Sequence, residues 1–461
     1  MNKPINLAGR IDSLPLTKWH FLLIPIVCLG ILFDAYDLTI LSVALPQIKS
    51  QWNITDVQAG MLGSAGFAGM LIGALLSGYL ADRYGRAIIF KYTIVLYSVF
   101  TVISAYATDF NMLVITRLIV GLGMGGLVPV GSAYLSEYIP SKIRGRVLAI
   151  FNAFFAIGTM LAYSMGALIV VPYGWKYGFL VGGIPIVLAI AAHYNLPESV
   201  RYLQAKGRIE EAVRLVEMVE RKTVGKIAVP THEAIEIEIA SAATASEQKV
   251  KSGILDLFKG FQAKTTVMVA VMWFCVGYAV NAIVVWLPIF LTREFSYSLA
   301  LGLKYMSIAS IVGITGNILA GVCVDYLGRK KTIVVAFIMY GFMSYVLFAM
   351  GKNLDLGPVL LAGIFFLVGM MNGSAYAYSP ENFPTRLRGT GLGLGSAVGR
   401  VGGMLGPTVI GIVYSTHGIY TVAHLNMLVL IVGAIIVALL GRETVNKSLE
   451  ELDATSAKKP F

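Results

Sequence analysis

Apolar residues run along this chain in long unbroken blocks, not in the alternating or three-to-four-residue patterns of soluble strands and helices. A helix needs about 20 apolar residues to cross roughly 30 Å of hydrocarbon. Blocks of that kind recur near 20–45, 57–80, 87–107, 111–136, 146–170 and 175–195, and again near 265–291, 300–323, 332–350, 356–378, 390–414 and 420–440. Six precede a polar stretch at 196–264 and six follow it. The pattern predicts an all-α membrane protein with twelve transmembrane helices. The expected divisions are a tail at 1–19, a first half at 20–195, a linker at 196–264, a second half at 265–440 and a tail at 441–461.

Composition supports the membrane assignment. Of 461 residues, 57% are hydrophobic and 13% charged, with mean hydropathy +0.76, whereas a soluble domain carries about 25% charged residues. The net charge of +11 invites a nucleic-acid reading, but the basic residues occupy alternate loops: Arg83 and Arg86, Lys142 to Arg146, the linker, Arg329 to Lys331, Arg386 and Arg388. That bias places both termini and the linker in the cytoplasm and removes the case for nucleic acid. Cys28, Cys275 and Cys323 fall in or beside spans and read as packing residues, not a disulfide or metal set. The first span is too long for the apolar region of a signal peptide and contains Asp34 and Asp37.

Three motifs repeat at nearly one offset. Gly78 to Arg86, with Asp82, Gly85 and Arg86 at fixed spacing, returns 243 positions on as Gly321 to Arg329, with Asp325, Gly328 and Arg329. Glu137, Pro140, Arg144 and Gly145 return 244 positions on as Glu381, Pro384, Arg388 and Gly389, and Glu198 returns as Glu443. Agreement among separate motifs means two homologous halves. The linker carries an amphipathic stretch at 208–223 and an acidic-apolar one at 233–240, expected to form surface helices beneath the halves. Glycines cluster inside spans, as at Gly60 to Gly73 and Gly121 to Gly126, where they let helices approach closely. Each half thus gathers acids and arginines at helix ends on one face, and the expectation is a cytoplasmic gate in which Arg–carboxylate pairs lock the halves together and break when they rock apart.

The doubled Gly-x-x-x-Asp-x-x-Gly-Arg loops, Arg117 with Gly121 to Gly126, and Leu196-Pro197-Glu198-Ser199 resemble the signatures of the major facilitator superfamily over roughly residues 20–443. That resemblance implies two six-helix bundles, a central cavity and alternating access. Asp34-Ala35-Tyr36-Asp37, Gly174-Trp175, Trp286-Leu287-Pro288, Arg388-Gly389-Thr390-Gly391 and Gly399-Arg400 look like the aromatic acid:proton symporters within it. Sugar porters share the Pro-Glu-Ser element, but their paired glutamines in span 7 are absent. The resemblance associates the Arg117 position with proton transfer.

The residues themselves point the same way. A charge at the bilayer centre costs about 2.5 kcal/mol or more, so each needs a reason. Asp34 and Asp37 lie near the middle of span 1, three residues apart on one helical face, where joint ionisation is disfavoured; one is expected to carry a proton. Arg400 lies about 15 Å into span 11 and offers a planar fork for a carboxylate. Tyr36, Tyr278, Trp286, Tyr376 and Tyr378, with Asn281, are the candidate cavity wall. These features predict a secondary transporter that takes up a small organic anion with protons, an aromatic or related carboxylate, with the proton gradient as its energy source and no cofactor. It is expected to act as a monomer in the cell membrane. A sugar or other neutral metabolite is the alternative cargo, and a non-transporting nutrient receptor is a remoter one. No nucleophile–base set, metal cluster or cofactor loop marks it as an enzyme.

Overall fold

The structure, a computed structural model, describes residues 7–12, 14–15, 17–223, 225, 254–350, 356–384 and 387–445. Ten helices cross the bundle singly: span 1 (Trp19–Trp52), span 2 (Asp56–Tyr84), span 3 (Arg86–Ala105), span 4 (Phe110–Tyr138), span 5 (Ile143–Tyr173), span 6 (Trp175–Asn195), span 7 (Gln262–Arg293), span 8 (Leu299–Tyr326), span 9 (Arg329–Met350) and span 10 (Gly357–Glu381). A further helical run, Arg388–Leu440, has 53 residues, about 80 Å at 1.5 Å per residue and far too long for one crossing. Gly418 breaks it, with φ 77° and ψ −177°, a conformation open to glycine and closed to other residues. Spans 11 and 12 lie on either side of that break, so the expected twelve are present. Observed spans run past the apolar blocks at several ends, since a helix continues into the interface once begun.

One face of the bundle carries the helix Leu7–Asp12, the described part of the linker and Glu443. There the helix Leu7–Asp12 packs against the amphipathic linker helix Ile209–Thr223. Arg10 holds Glu220 through two 2.8 Å hydrogen bonds, and Arg144 reaches Asp12 at 3.1 Å. The linker stretch at 233–240 lies outside the described residues.

On this terminal face the repeated motifs assemble into one brace per half. In the first half, Glu198 accepts hydrogen bonds from the backbone of Ala87 (3.1 Å) and Ile88 (3.4 Å), satisfying the free N–H groups that open span 3. In the second half, Glu443 accepts from the backbone of Arg329 (2.8 Å) at the start of span 9. Gly85 (φ 114°) and Gly328 (φ 99°) precede these caps, and a side chain on either would strike the capping carboxylate. Glu137 pairs with Arg86 and accepts from Ser199. Glu381 pairs with Arg329 (3.1 Å) and accepts from Thr444 (2.5 Å). Tyr134 donates to the Pro197 carbonyl (2.7 Å), and its repeat mate Tyr378 donates to that of Arg442 (2.6 Å).

The halves meet along a seam toward the opposite face. Gly60 of span 2 lies against the Pro407 carbonyl of span 11, Gly63 against Val285 and Pro407, and Gly411 against the Asp56 carbonyl. Ser64 and Thr408 share a hydrogen bond of 2.8 Å, and Ser164 and Ser307 share one of 2.7 Å. These two pairs are repeat mates: Ser307 lies 243 positions after Ser64, and Thr408 lies 244 after Ser164. At the rim, Asp56 pairs with Lys49 of its own half and, at 3.4 Å, with Arg293 of the other.

Replacing Glu198 or Glu443 with alanine removes a cap, a cost of about 0.5–2 kcal/mol each. Thermal unfolding of the detergent-purified protein is expected to fall for either variant. In the double variant the two losses should add, because the braces share no partner.

Candidate functional site

Span 1 crosses the first half with Asp34 and Asp37 one turn apart, and their surroundings differ sharply. Asp37 accepts from Thr101 of span 3 (2.7 Å) and from Arg117 of span 4 (2.9 Å). Arg117 also donates to Thr101 (3.3 Å) and Ser104 (3.2 Å), and its guanidinium lies 4.7 Å from the centre of the Phe179 ring. Both charged side chains are 2% exposed. The pair is therefore enclosed by spans 1, 3, 4 and 6 of one half and fully partnered on its carboxylate. Thr101 and Ser104 were missed in the sequence, where their three-residue spacing on one face of span 3 is the signal that could have marked this shell.

Asp34 is fully buried, and neither of its oxygens has a hydrogen-bond partner among the described residues. It lies within electrostatic reach of Asp37 and of Arg400 in the other half. Arg400 donates to Ser396 one turn earlier (2.6 Å) and makes a long contact of 3.5 Å with the Gly125 carbonyl of span 4. Its Nε is buried with no partner among the described residues. Asp34 and Arg400 thus lie within electrostatic reach of each other across the two halves without a bond between them.

Beside Arg400 stands an aromatic pair. Tyr376 of span 10 is within its electrostatic reach and, though well inside the bundle, is 57% exposed. The Trp273 ring of span 7 packs edge-on at 4.8 Å from it, with the indole N–H donated to Ser379 (2.9 Å). Gly395 and Gly399, just before Arg400, lie against Trp273. Trp273 and Ser379 were missed in the sequence, where a tryptophan in an apolar span looks like any packing residue.

Other expectations need correction. Tyr36 is fully buried and donates to the Gly178 carbonyl (2.9 Å); Trp286 is fully buried and donates to that of Pro407 (2.9 Å). Tyr378 is buried at the terminal face. These three pack between helices and do not wall a cavity, because their polar atoms are taken by backbone. Tyr278 is buried, stacked on Phe274 with centroids 6.1 Å apart, and its hydroxyl has no partner among the described residues. Asn281 is partly buried and donates to Gly277 one turn back (2.8 Å).

The residues expected to form a cytoplasmic gate pair within their own halves in this arrangement. Arg86–Glu137 and Arg329–Glu381 each close within one half, as does Asp325–Arg329 (3.1 Å). Asp82 is exposed, within electrostatic reach of Arg86. Arg144 turns to Asp12 and the Ile139 carbonyl, and Arg388 to the Pro380 carbonyl (3.1 Å). Short loops explain this: each acid and its arginine sit at neighbouring helix ends of one bundle, the nearest partners available.

Comparison with known proteins agrees with this architecture. A family model described as Major Facilitator Superfamily matches residues 27–400 and 314–461. The niacin transporter NiaP of Acinetobacter baylyi is 34% identical over 452 residues, covering 97% of this chain and 100% of its own. The benzoate transport protein of the same organism is 31% identical over 420 residues, covering 89% and 87%. Among solved structures, the xylose transporter XylE from E. coli superposes with TM-score 0.76 at 21% identity, covering 94% of this chain and 99% of that one.

Removing one member of the Asp37–Arg117 pair strands the other in the bilayer interior, at a cost of about 3–5 kcal/mol. Asp37→Asn and Arg117→Gln should each unfold at markedly lower temperature, and the double variant should lose less than their sum. Strict additivity in that cycle would contradict the pairing.

Proposed function

The chain belongs to the major facilitator superfamily, and from that premise we propose that it imports a small aromatic monocarboxylate together with protons. It is a multi-pass membrane transporter; the plasma membrane as its location, its substrate and its coupling are the proposal. The observation that carries the reading is Asp34 facing Arg400 at mid-depth from the other half, each with polar atoms that no described residue satisfies. An unsatisfied buried polar or charged group is costly, and a substrate carboxylate and a proton would relieve both. The similar proteins named for niacin and benzoate handle planar rings bearing one carboxylate, which supports the same class.

The site suggests how coupling works. A substrate carboxylate would take the Arg400 fork, with its ring against Tyr376 and Trp273. Ionised Asp34 would compete for that arginine. Protonating Asp34 removes the competitor and frees Arg400 for the substrate; losing the proton restores it and expels the cargo. Coupling then follows from two acids sharing one base, with Asp37 held aside by Arg117. The seam lies on the face opposite the termini, so with the termini in the cytoplasm, as the basic loops suggest, this arrangement faces inward. Opening outward would part the Ser64–Thr408 and Ser164–Ser307 pairs and Asp56–Arg293 while the braces hold each half rigid.

Two measurements test this in proteoliposomes. Wild-type protein should accumulate benzoate or niacin when the outside is made acidic, and Asp34→Asn should keep exchange between equal pools while losing gradient-driven accumulation. Accumulation in Asp34→Asn that still follows the gradient would remove Asp34 from coupling. Losing a charged hydrogen-bond pair is worth about 10–100-fold in affinity, so Arg400→Gln should weaken carboxylate binding by about that factor. Unchanged affinity would sink the assignment of Arg400.

A further inference from the structure

Spans 1 and 3 run parallel, and two contacts set their register. A Cβ on Gly30 would sit 3.3 Å from Phe90 and 3.8 Å from Ile94, and Asp37 bonds to Thr101 one level higher. Ile94 and Thr101 lie 64 positions beyond Gly30 and Asp37. The same offset brings Asp34 abreast of Ser98, with Tyr97 beside it. Tyr97 and Ser98 are both fully buried. Behind Tyr97, Gly123 of span 4 lets the two backbones meet, since a Cβ there would come 2.9 Å from the Tyr97 nitrogen.

The polar atoms at this level share one property. The Tyr97 hydroxyl, the Ser98 hydroxyl and both Asp34 oxygens lack hydrogen-bond partners among the described residues. Tyr97 is within electrostatic reach of both Asp34 and Asp37, and its hydroxyl lies beside that of Ser98, close enough to interact but without a well-formed hydrogen bond. More than nine in ten buried polar groups find a partner, and where protein supplies none, ordered water does. Two hydroxyls and a carboxyl provide the two to four polar contacts that a buried water requires.

We propose that Asp34, Tyr97 and Ser98 form a buried water-binding site, and that Tyr97 is a positioning residue for the proton-carrying carboxyl. The proposal rests on the reading of Asp34 as proton carrier. Through the bound water, the Tyr97 hydroxyl donates toward Asp34 when the carboxylate is ionised and accepts from it when protonated. Tyr97 thus stabilises the ionised form and sets the proton concentration at which Asp34 loads. The other charged groups facing Asp34 are Asp37 on its own helix, Arg117 of span 4 acting through Asp37, and Arg400 of span 11. Spans 5 and 6 present Gly158 and Gly182 to this part of span 1, and among the described residues neither brings a group that acts electrostatically on Asp34.

The test compares full-length wild type, Tyr97→Phe, Ser98→Ala and Asp34→Asn in proteoliposomes. Exchange between equal pools and gradient-driven uptake of benzoate are each measured against pH. Tyr97→Phe deletes one oxygen and keeps the ring. The expected result is exchange near wild type with the midpoint of the uptake profile moved upward by about one pH unit, about tenfold in proton affinity. Ser98→Ala should move it the same way by less. A lower unfolding temperature with an unmoved midpoint would mean that Tyr97 only packs, and would overturn the proposal. If Tyr97→Phe does not fold, Ser98→Ala decides with the same two outcomes. Gradient-driven uptake that survives in Asp34→Asn would instead defeat the proton-carrier reading, whatever Tyr97 does.

Discussion

A buried charge in hydrocarbon must be matched, and the Asp37–Arg117 pair is the match on which the functional reading depends. Its carboxylate is filled by Thr101 and Arg117, and the whole set lies inside one half. Because Asp37 is satisfied there, Asp34 one turn away cannot share that arginine and is left facing the second half. Arg400 is the cation in reach from that side. One closed ion pair thus divides two neighbouring aspartates into a structural acid and an open one.

The duplication distributes tasks in a similar way. Motifs kept in both halves build the terminal-face braces, where Glu198 and Glu443 cap the third helix of each half and Gly85 and Gly328 make room for them. Such braces suit rigid bodies, since capping and ion pairing at helix ends fix how neighbouring helices meet. The seam uses weaker material: glycine contacts, two hydroxyl pairs related by the same offset and one long, partly exposed ion pair, Asp56–Arg293. A neutral hydrogen bond is worth about 0.5–1.5 kcal/mol net, little enough to be broken and remade in a transport cycle. Strong contacts within halves and weak ones between them are what a rocking mechanism needs.

Much of this was legible in the chain. Twelve apolar blocks, the repeat and the isolated charges in spans 1, 4 and 11 carried the fold class and named Asp34, Asp37, Arg117 and Arg400. The spacing of acids and arginines in the loops was equally visible, but not which acid meets which arginine across a helix end; that depends on distances the repeat does not encode. In the present arrangement each arginine meets an acid of its own half, and the lock between halves is open. Tyr36, Trp286 and Tyr378 were misplaced because an aromatic in a span has no period that separates cavity from core. Trp273 and Ser379 carried no mark for the same reason.

What the sequence determined by itself was set by solvent and covalent spacing: which segments cross the bilayer, that they form two related halves, and which residues are too polar to lie there unmatched. Each follows from the cost of placing polar groups in hydrocarbon, a cost paid locally, residue by residue. The tertiary structure alone decided the matching. It gave Arg117 to Asp37, left Asp34 to Arg400, set Tyr97 and Ser98 beside the open acid, and placed the seam on one face only. Those outcomes depend on helix register and facing, set by packing between segments up to hundreds of positions apart, and no local pattern records them.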